Sequence, residues 1–465
     1  MESFGGLGMR CMAFLMLAVA WACAPEADKS GNATEGAAPN LLLVIIDTLR
    51  TDHSSVYGYE RDTTPHLRRF AQQGSRFDAT YAPLPGTGPT HATVFTSLYP
   101  IAHGVVKNGL VLAPEHETLA EILRIRGYQT AAVVSSFALA RKFGYAQGFD
   151  TYQDDFDPDR STIRFRKWEG HLIAEGFDRR AGQTTTRAIR WLDEGRRPGT
   201  PFFLFVHYFD PHDPYDPPPA FRRWASPGPG ELSKVERATA RYDGEIAYAD
   251  AEIGRLLAAL TARALDADTL VVITADHGEG LSDHGYMYHD IQLYEEAVRV
   301  PLIVRWPGRI EVGRALKAPI ELTDLMPTIL GLMEVHCDGG RFQGVSRAAA
   351  LRGEALIDPE NTVFLQRRPF PPSRIAGFSV AGDAFGARVG RWKYIEASEE
   401  GARELFDLES DPGETENLYA DFPTRAEELS ALIYGWRQTH GRAAGHSTTI
   451  SEEDRRRLRA MGYAE

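Results

Sequence analysis

Residues 40–50 read Asn40-Leu41-Leu42-Leu43-Val44-Ile45-Ile46-Asp47-Thr48-Leu49-Arg50. Six consecutive apolar side chains ended by an acid describe a strand buried on both faces, the form taken by strands inside a parallel sheet covered by helices. Four further runs of strand length follow: Thr130 to Val134, Phe202 to Val206, Leu270 to Thr274 and Val300 to Val304. Helical patterns separate them. Thr64 and Pro65 form a cap and first-turn pair ahead of Leu67, Phe70 and Ala71, with Gly74 placed to end that helix. Leu119, Ile122 and Leu123 make a second apolar face before Gly127. Ile246, Ala249, Ile253, Leu256, Leu257 and Leu260 keep helical spacing over four turns. The alternation predicts an α/β fold, a sandwich around a mostly parallel central sheet.

Past about Leu332 the pattern loosens into Gly-rich segments and shorter strands such as Arg391 to Ile395, which predicts a smaller C-terminal subdomain with an antiparallel sheet. The expected organisation is a signal over 1–22, a flexible tether over 23–38, a catalytic domain over 39–334, and a C-terminal subdomain and tail over 335–465. The signal is read from Arg10 and the short apolar run Cys11 to Ala22, well below the ~20 residues needed to cross a bilayer. The run ends Ala20-Trp21-Ala22-Cys23, so Cys23 is the expected lipid attachment point of an exported protein anchored to the membrane and facing the periplasm or cell exterior. Ala24 to Pro39 lacks apolar periodicity, as a tether does. With only three cysteines, Cys11, Cys23 and Cys337, a disulfide-built fold is excluded, and Cys337 reads as a buried thiol. The net charge of −13 leaves no polybasic surface for nucleic acid, so an anionic substrate needs a local positive site.

Ligands of open α/β sheets gather beyond the carboxyl ends of the strands. Two strand ends here carry acids: Asp47 after the first run, and Asp276-His277 after Val271-Val272-Ile273-Thr274-Ala275. Carboxylates crowded at one sheet edge repel unless a cation joins them, and an imidazole beside them adds a ligand of intermediate softness. A third element is Pro85-Gly86-Thr87-Gly88-Pro89-Thr90-His91. Pro89 fits the first turn of a helix through Val94 and Phe95, which sets Thr87 in a Gly-flanked turn just ahead of a helix N-terminus, where an anion or alkoxide is favoured. That stretch alone fits equally a cap residue without chemistry.

These stretches, with Leu98-Tyr99-Pro100, Asp276-His277-Gly278-Glu279 and Tyr294-Glu295-Glu296, resemble the sulfatase family of the alkaline phosphatase superfamily. Thr323 to Thr328, Gly390 to Tyr394, Glu404 to Leu408 and Asp411 to Glu414 look like that family's C-terminal part, so the likeness spans about residues 39 to 420. It implies a hydrolase of sulfate or phosphate esters. By the same resemblance, Asp47, Asp276, His277 and Thr87 are metal ligands, and Thr87 is the nucleophile. His91 takes the place of the motif's usual arginine, and His212 and His289 fall where substrate-contacting residues stand. Asn108 resembles an asparagine that contacts a non-bridging oxygen. His207, at a strand end, is a candidate for substrate contact or a supporting role.

The departures are as informative. Sulfatases oxidise a cysteine or serine to formylglycine, and Thr87 cannot yield that aldehyde. Thr48 stands where many members have a second acid or amide, and Ser135-Ser136-Phe137 replaces a Gly-Lys-Trp-His-type segment. Threonine nucleophiles occur in phosphodiester-cleaving relatives, so the chemistry leans toward phosphate diesters and phosphonates, with sulfate-ester hydrolysis without formylglycine as the alternative. A glycan- or envelope-polymer-binding pseudoenzyme is a third reading. One divalent cation is expected, zinc, manganese or calcium. Asp210 and His212 are candidates for a second metal but do not reproduce the Asp-x-x-x-His spacing of two-metal relatives. Asp283, His284 and Glu279 read as loop hydrogen bonders, Asp213 to Pro219 as a stiff lid or a surface excursion, and Glu452 to Arg459 as a solvated helix face.

Overall fold

In the computed structural model the described residues are 38–156, 178–224, 232–337, 341–375 and 377–441, with the backbone alone of Arg166–Trp168 and His171–Ile173. The signal, nearly all of the tether, and the charged tail from Glu452 lie outside them. In chain order the strands are β1 (Asn40–Ile46), β2 (Ser75–Tyr81), β3 (Gln129–Val133), β4 (Thr151–Gln153), β5 (Arg166–Trp168) and β6 (His171–Ile173). Then come β7 (Phe202–Tyr208), β8 (Thr269–Ala275), β9 (Arg299–Arg305), β10 (Arg314–Leu316) and β11 (Ile320–Glu321). The main sheet runs β10-β2-β9-β8-β1-β7-β3-β4, with β11 also on β2. β9 alone runs against its neighbours β2 and β8, so the sheet is mostly parallel as its apolar runs predict.

Every residue of β1, β7 and β8 is buried, which is why these strands read as unbroken apolar runs. The helices Pro65–Gln72, Leu119–Ile125 and Lys234–Ala262 form where apolar spacing placed them. One cap differs from expectation. Thr64 makes no cap hydrogen bond; its hydroxyl lies 2.8 Å from Ser54 Oγ and 3.0 Å from Ser55 Oγ. The buried carboxylate of Asp250 instead accepts the N–H groups of His66 and Leu67 at 2.9 and 2.8 Å. Burial raises the pKa of the Asp250 carboxyl to about 7, while the two N–H groups and the helix start favour its ionised form.

A second, antiparallel sheet follows in the order β12 (Thr362–Ile375), β13 (Phe378–Val389), β14 (Trp392–Ala397) and β15 (Ala402–Asp407). The helix Pro423–His440 lays Leu429, Ile433 and Trp436 on it. Tyr99, from the segment after the Thr87 helix, packs edge-on against Trp436 with ring centroids 5.1 Å apart, and Ala79 and Tyr81 of β2 share a core with Val363 and Leu365 of β12. A buried ion cluster adds a second tie: Lys393 Nζ on β14 lies 2.8 Å from Glu414 and 3.0 Å from Glu295. Cys337 is half-buried at the margin of the main core, more exposed than its reading as a buried thiol.

Candidate active site

Parallel pairing of β1 with β8 sets Ile46 opposite Ala275, so the next residues, Asp47 and Asp276, emerge side by side. The chain turns away at Thr48, whose φ is +53°, and Tyr242 of the long helix locks that turn. Its hydroxyl donates to the Thr48 carbonyl and accepts the Arg50 N–H at 3.0 Å. Asp276 Oδ1 accepts the N–H groups of Thr48 and His277 at 3.1 and 2.8 Å. Asp276 Oδ2 and both oxygens of Asp47 are buried without a hydrogen-bond partner among the described residues. Burial and the adjacent Asp276 hold the Asp47 carboxyl well above the usual range. Unpaired buried carboxylates are costly, and a cation is what repays them.

His277 completes the group. Its Nδ1 lies 2.9 Å from the Gly278 carbonyl, which assigns the proton there and leaves the Nε2 lone pair facing inward. Nε2 stands 3.7 Å from Asp47 Oδ1, 3.7 Å from Asp276 Oδ2 and 3.4 Å from Thr87 Oγ1. Ligand atoms of Asp47, Asp276 and His277 all lie within 4.8 Å of one another. The donor set of two carboxylates and one imidazole fits a divalent cation.

Thr87 is the first residue of the helix Thr87–Thr96, one step further in than the sequence places it, with Gly86 as cap. The whole helix is buried, and its opening N–H groups meet the site. Asn108 Oδ1 accepts the Gly88 N–H at 2.6 Å, and its amide nitrogen has no hydrogen-bond partner among the described residues. His91, one turn along, holds the Thr87 carbonyl at 2.7 Å through Nδ1. Burial and the nearby His207 push its pKa down to about 3, so it is a neutral ring whose Nδ1 is engaged with that carbonyl. His207 is buried too, its pKa lowered to about 4 by burial. Its Nδ1 accepts the Ser135 N–H at 3.4 Å, and its Nε2 faces Asp47 Oδ2 at 3.3 Å, a placement that supports the carboxylate.

The positive charge comes from His289. Burial alone lowers its pKa, but the Glu279 carboxylate 3.2 Å away more than offsets this and raises it to about 9. Its ring lies 4.4 Å from that of His277 and 5.0 Å from that of His212. His212 is pushed far down by burial and by His289, and is neutral. It stacks on Phe209 at 4.4 Å, and its Nδ1 meets the Asp213 carbonyl at 2.6 Å. Tyr215 donates to Glu279 Oε2 at 2.9 Å, which ties the Pro-rich stretch to the site.

A model of the sulfatase family matches residues 39–335, most of the chain. The chain belongs to the sulfatase family. A second model, of the C-terminal part of N-sulphoglucosamine sulphohydrolase, matches residues 282–433. This sulfatase-family chain is 26% identical over 431 residues to an ulvan-active sulfatase of Formosa agariphila, covering 85% of the chain and 80% of the relative. It is also 26% identical to an arylsulfatase of Clostridium perfringens, covering 88% and 96%. Its fold matches that of a solved enzyme bound to D-glucosamine-2-N,6-O-disulfate, with a TM-score of 0.72 and 22% identity over 86% and 98% of the two chains. A phosphonate monoester hydrolase from Silicibacter pomeroyi matches at 0.70 and 24%, covering 89% and 97%. The protein is an ester hydrolase, and members of its family are metal-dependent.

In this member of the family, Asp47, Thr87, His91, His207, Asp276 and His277 form one buried cluster, with His289, His212 and Asn108 on its margins. Asp210 stays apart from it. Arg180 pairs with it at 3.1 Å, and Asp210 belongs to neither candidate metal group among the described residues. Asp283 and His284 are loop hydrogen bonders, to Arg50 and Glu296. Glu279 has more than that reading, since it charges His289. Tyr242 escaped sequence analysis, although it sits four residues before Ile246 on the same helical face, the spacing that marks the inward side.

Proposed function

We propose that the protein is a metal-dependent hydrolase that attacks phosphate diesters or phosphonate esters through Thr87 Oγ1. The observation that carries the reading is the alcohol itself, at a buried helix start 3.4 Å from His277 Nε2 and beside carboxylate oxygens that have no hydrogen-bond partner among the described residues. Asp47, Asp276, His277 and Thr87 would hold the cation, and the imidazole among them favours zinc or manganese at least as much as calcium. When bound, such a cation supplies Lewis acidity, which lowers the pKa of an adjacent alcohol.

The chain's own groups do the rest. The Thr87 proton passes to solvent, and Oγ1 attacks phosphorus in line with the departing ester oxygen. Protonated His289 donates its proton to that oxygen, and the Asn108 amide nitrogen donates to a non-bridging oxygen. Water then displaces the Thr87 oxygen from phosphorus, giving a proton to the now neutral His289, while the Thr87 oxygen takes a proton from solvent; the acid product leaves and both groups are restored. His91 and His207 hold the Thr87 carbonyl and the Asp47 carboxylate in register throughout.

Sulfate-ester hydrolysis is the second reading, favoured by the sulfatase names of the relatives, and a sugar-borne ester is the substrate class those names favour. Assaying aryl phosphodiester, phosphonate, phosphate and sulfate esters side by side, after reloading with zinc, manganese or calcium, decides between them. Phosphodiester or phosphonate turnover at least about tenfold above sulfate is expected; dominant sulfate turnover reverses the preference. The setting we infer is outside the cytoplasm, on a lipid at Cys23, and acyl labelling lost in Cys23→Ala is its check.

A further inference from the structure

We propose that Arg368 forms a second anion-binding point at the rim of the site, so that the preferred substrate carries another carboxylate, sulfate or phosphate besides the ester that is cleaved. The inference rests on the ester-hydrolase reading above and deepens it.

Arg368 lies on β12, on the C-terminal sheet, where the pairing with β13 breaks. Arg367 pairs with Ala384 and Phe370 with Gly382, so Arg368 and Pro369 together face the single residue Asp383. That is a β-bulge, a device that re-aims a side chain, and Pro369 cannot donate to the ladder there. Arg367 anchors the bulge. It is fully buried and donates to the Ile291 carbonyl at 3.3 Å, to Glu400 at 2.6 Å and to the Gly382 carbonyl at 3.1 Å. The strand is thereby fastened to the loop that carries His289 and Asp290.

Arg368, freed from the ladder, stands over the Phe370 ring at 4.1 Å with its side chain 14% exposed. Its Nε is buried without a hydrogen-bond partner, and its one ion-pair partner among the described residues is Asp290, at 3.7 Å, too far for a hydrogen bond. Asp290 in turn touches the nucleophile turn: a Cβ on Gly86 would lie 3.0 Å from its Oδ1. A guanidinium held rigidly by an aromatic face, under-used by its only carboxylate and linked through it to the residue before Thr87, is suited to a second oxyanion on the substrate.

Calorimetric titration of the metal-loaded protein with benzenesulfonate and benzene-1,3-disulfonate tests this, with hydrolysis of an aryl phosphodiester measured in parallel. The wild type is expected to bind the disulfonate at least about tenfold more tightly, and Arg368→Gln to shrink that ratio to within about twofold. Asp290→Asn, which removes the competing charge, is expected to widen it, and keeps the test open should Arg368→Gln fail to fold. Equal affinities in the wild type, including no measurable binding of either, or a ratio unchanged in both variants, would overturn the proposal. Loss of ester hydrolysis alone would sink the functional reading and leave the binding ratio legible.

Discussion

The Asp276 carboxylate accepts the Thr48 backbone N–H at 3.1 Å, joining the corners that follow two adjacent parallel strands. One oxygen of Asp276 is thus committed to holding the corner, while its other oxygen and both oxygens of Asp47 have no hydrogen-bond partner among the described residues. Burial and the adjacent Asp276 oppose ionisation of Asp47, an opposition that a bound cation relieves.

Chelation is therefore expected to lower the melting temperature of the wild type. Asp47→Asn removes the carboxyl whose ionisation is opposed there and should melt higher than the wild type when both are metal-free, by about 1 °C per kcal/mol in a chain of this length, while losing metal affinity. Differential scanning calorimetry with and without chelator, alongside metal analysis, reads both effects.

Gly88 is the point of closest approach between the Thr87 helix and its surroundings. A Cβ there would meet Tyr145 Oη at 2.7 Å and Asn108 Oδ1 at 2.8 Å. Gly88→Ala is expected to displace Asn108, cost about 1–3 kcal/mol by overpacking, and lower kcat by roughly 10–100-fold as a misplaced donor would. Denaturant unfolding and steady-state kinetics check the two magnitudes separately.

How far the sequence reveals the site depends on how local each signal is. β1 was legible because burial on both faces leaves an unbroken apolar run, whereas β2 (Ser-Arg-Phe-Asp-Ala-Thr-Tyr) alternates and carries charge on its half-exposed face. The long helix begins at Lys234, three turns before its apolar stripe, because those turns are largely polar; the Ser233 and Glu236 capping box marks the true start. Asp47, Thr87, Asp276 and His277 were readable as strand-end and helix-start residues. The charge state of His289 was not, since Glu279 meets it only after the intervening loop folds back. The bulge at Arg368 is equally hidden, as register is a property of two strands and not of one.

His284 offers a pH signature away from the candidate metal ligands. Burial lowers its pKa, but the hydrogen bond and charge of Glu296, 2.8 Å away, raise it to about 9. A folded-state value above the unfolded one of ~6.5 means stability that is fully present below pH ~6.5 and lost as pH rises through about 9. Stability measured by denaturant from pH 6 to 10 should fall across that window, and His284→Gln should flatten the fall; an unchanged slope in the variant would assign the loss to other groups.

The most direct measurement is acid quenching during turnover of an aryl phosphodiester or phosphonate, followed by mass analysis of the peptide that contains Thr87. A phosphorus-bearing ester on Thr87 that forms in the wild type, disappears after turnover ends and is absent in Thr87→Ala is the result expected of a threonine nucleophile. Full turnover by Thr87→Ala, or an adduct on any other residue, would contradict it.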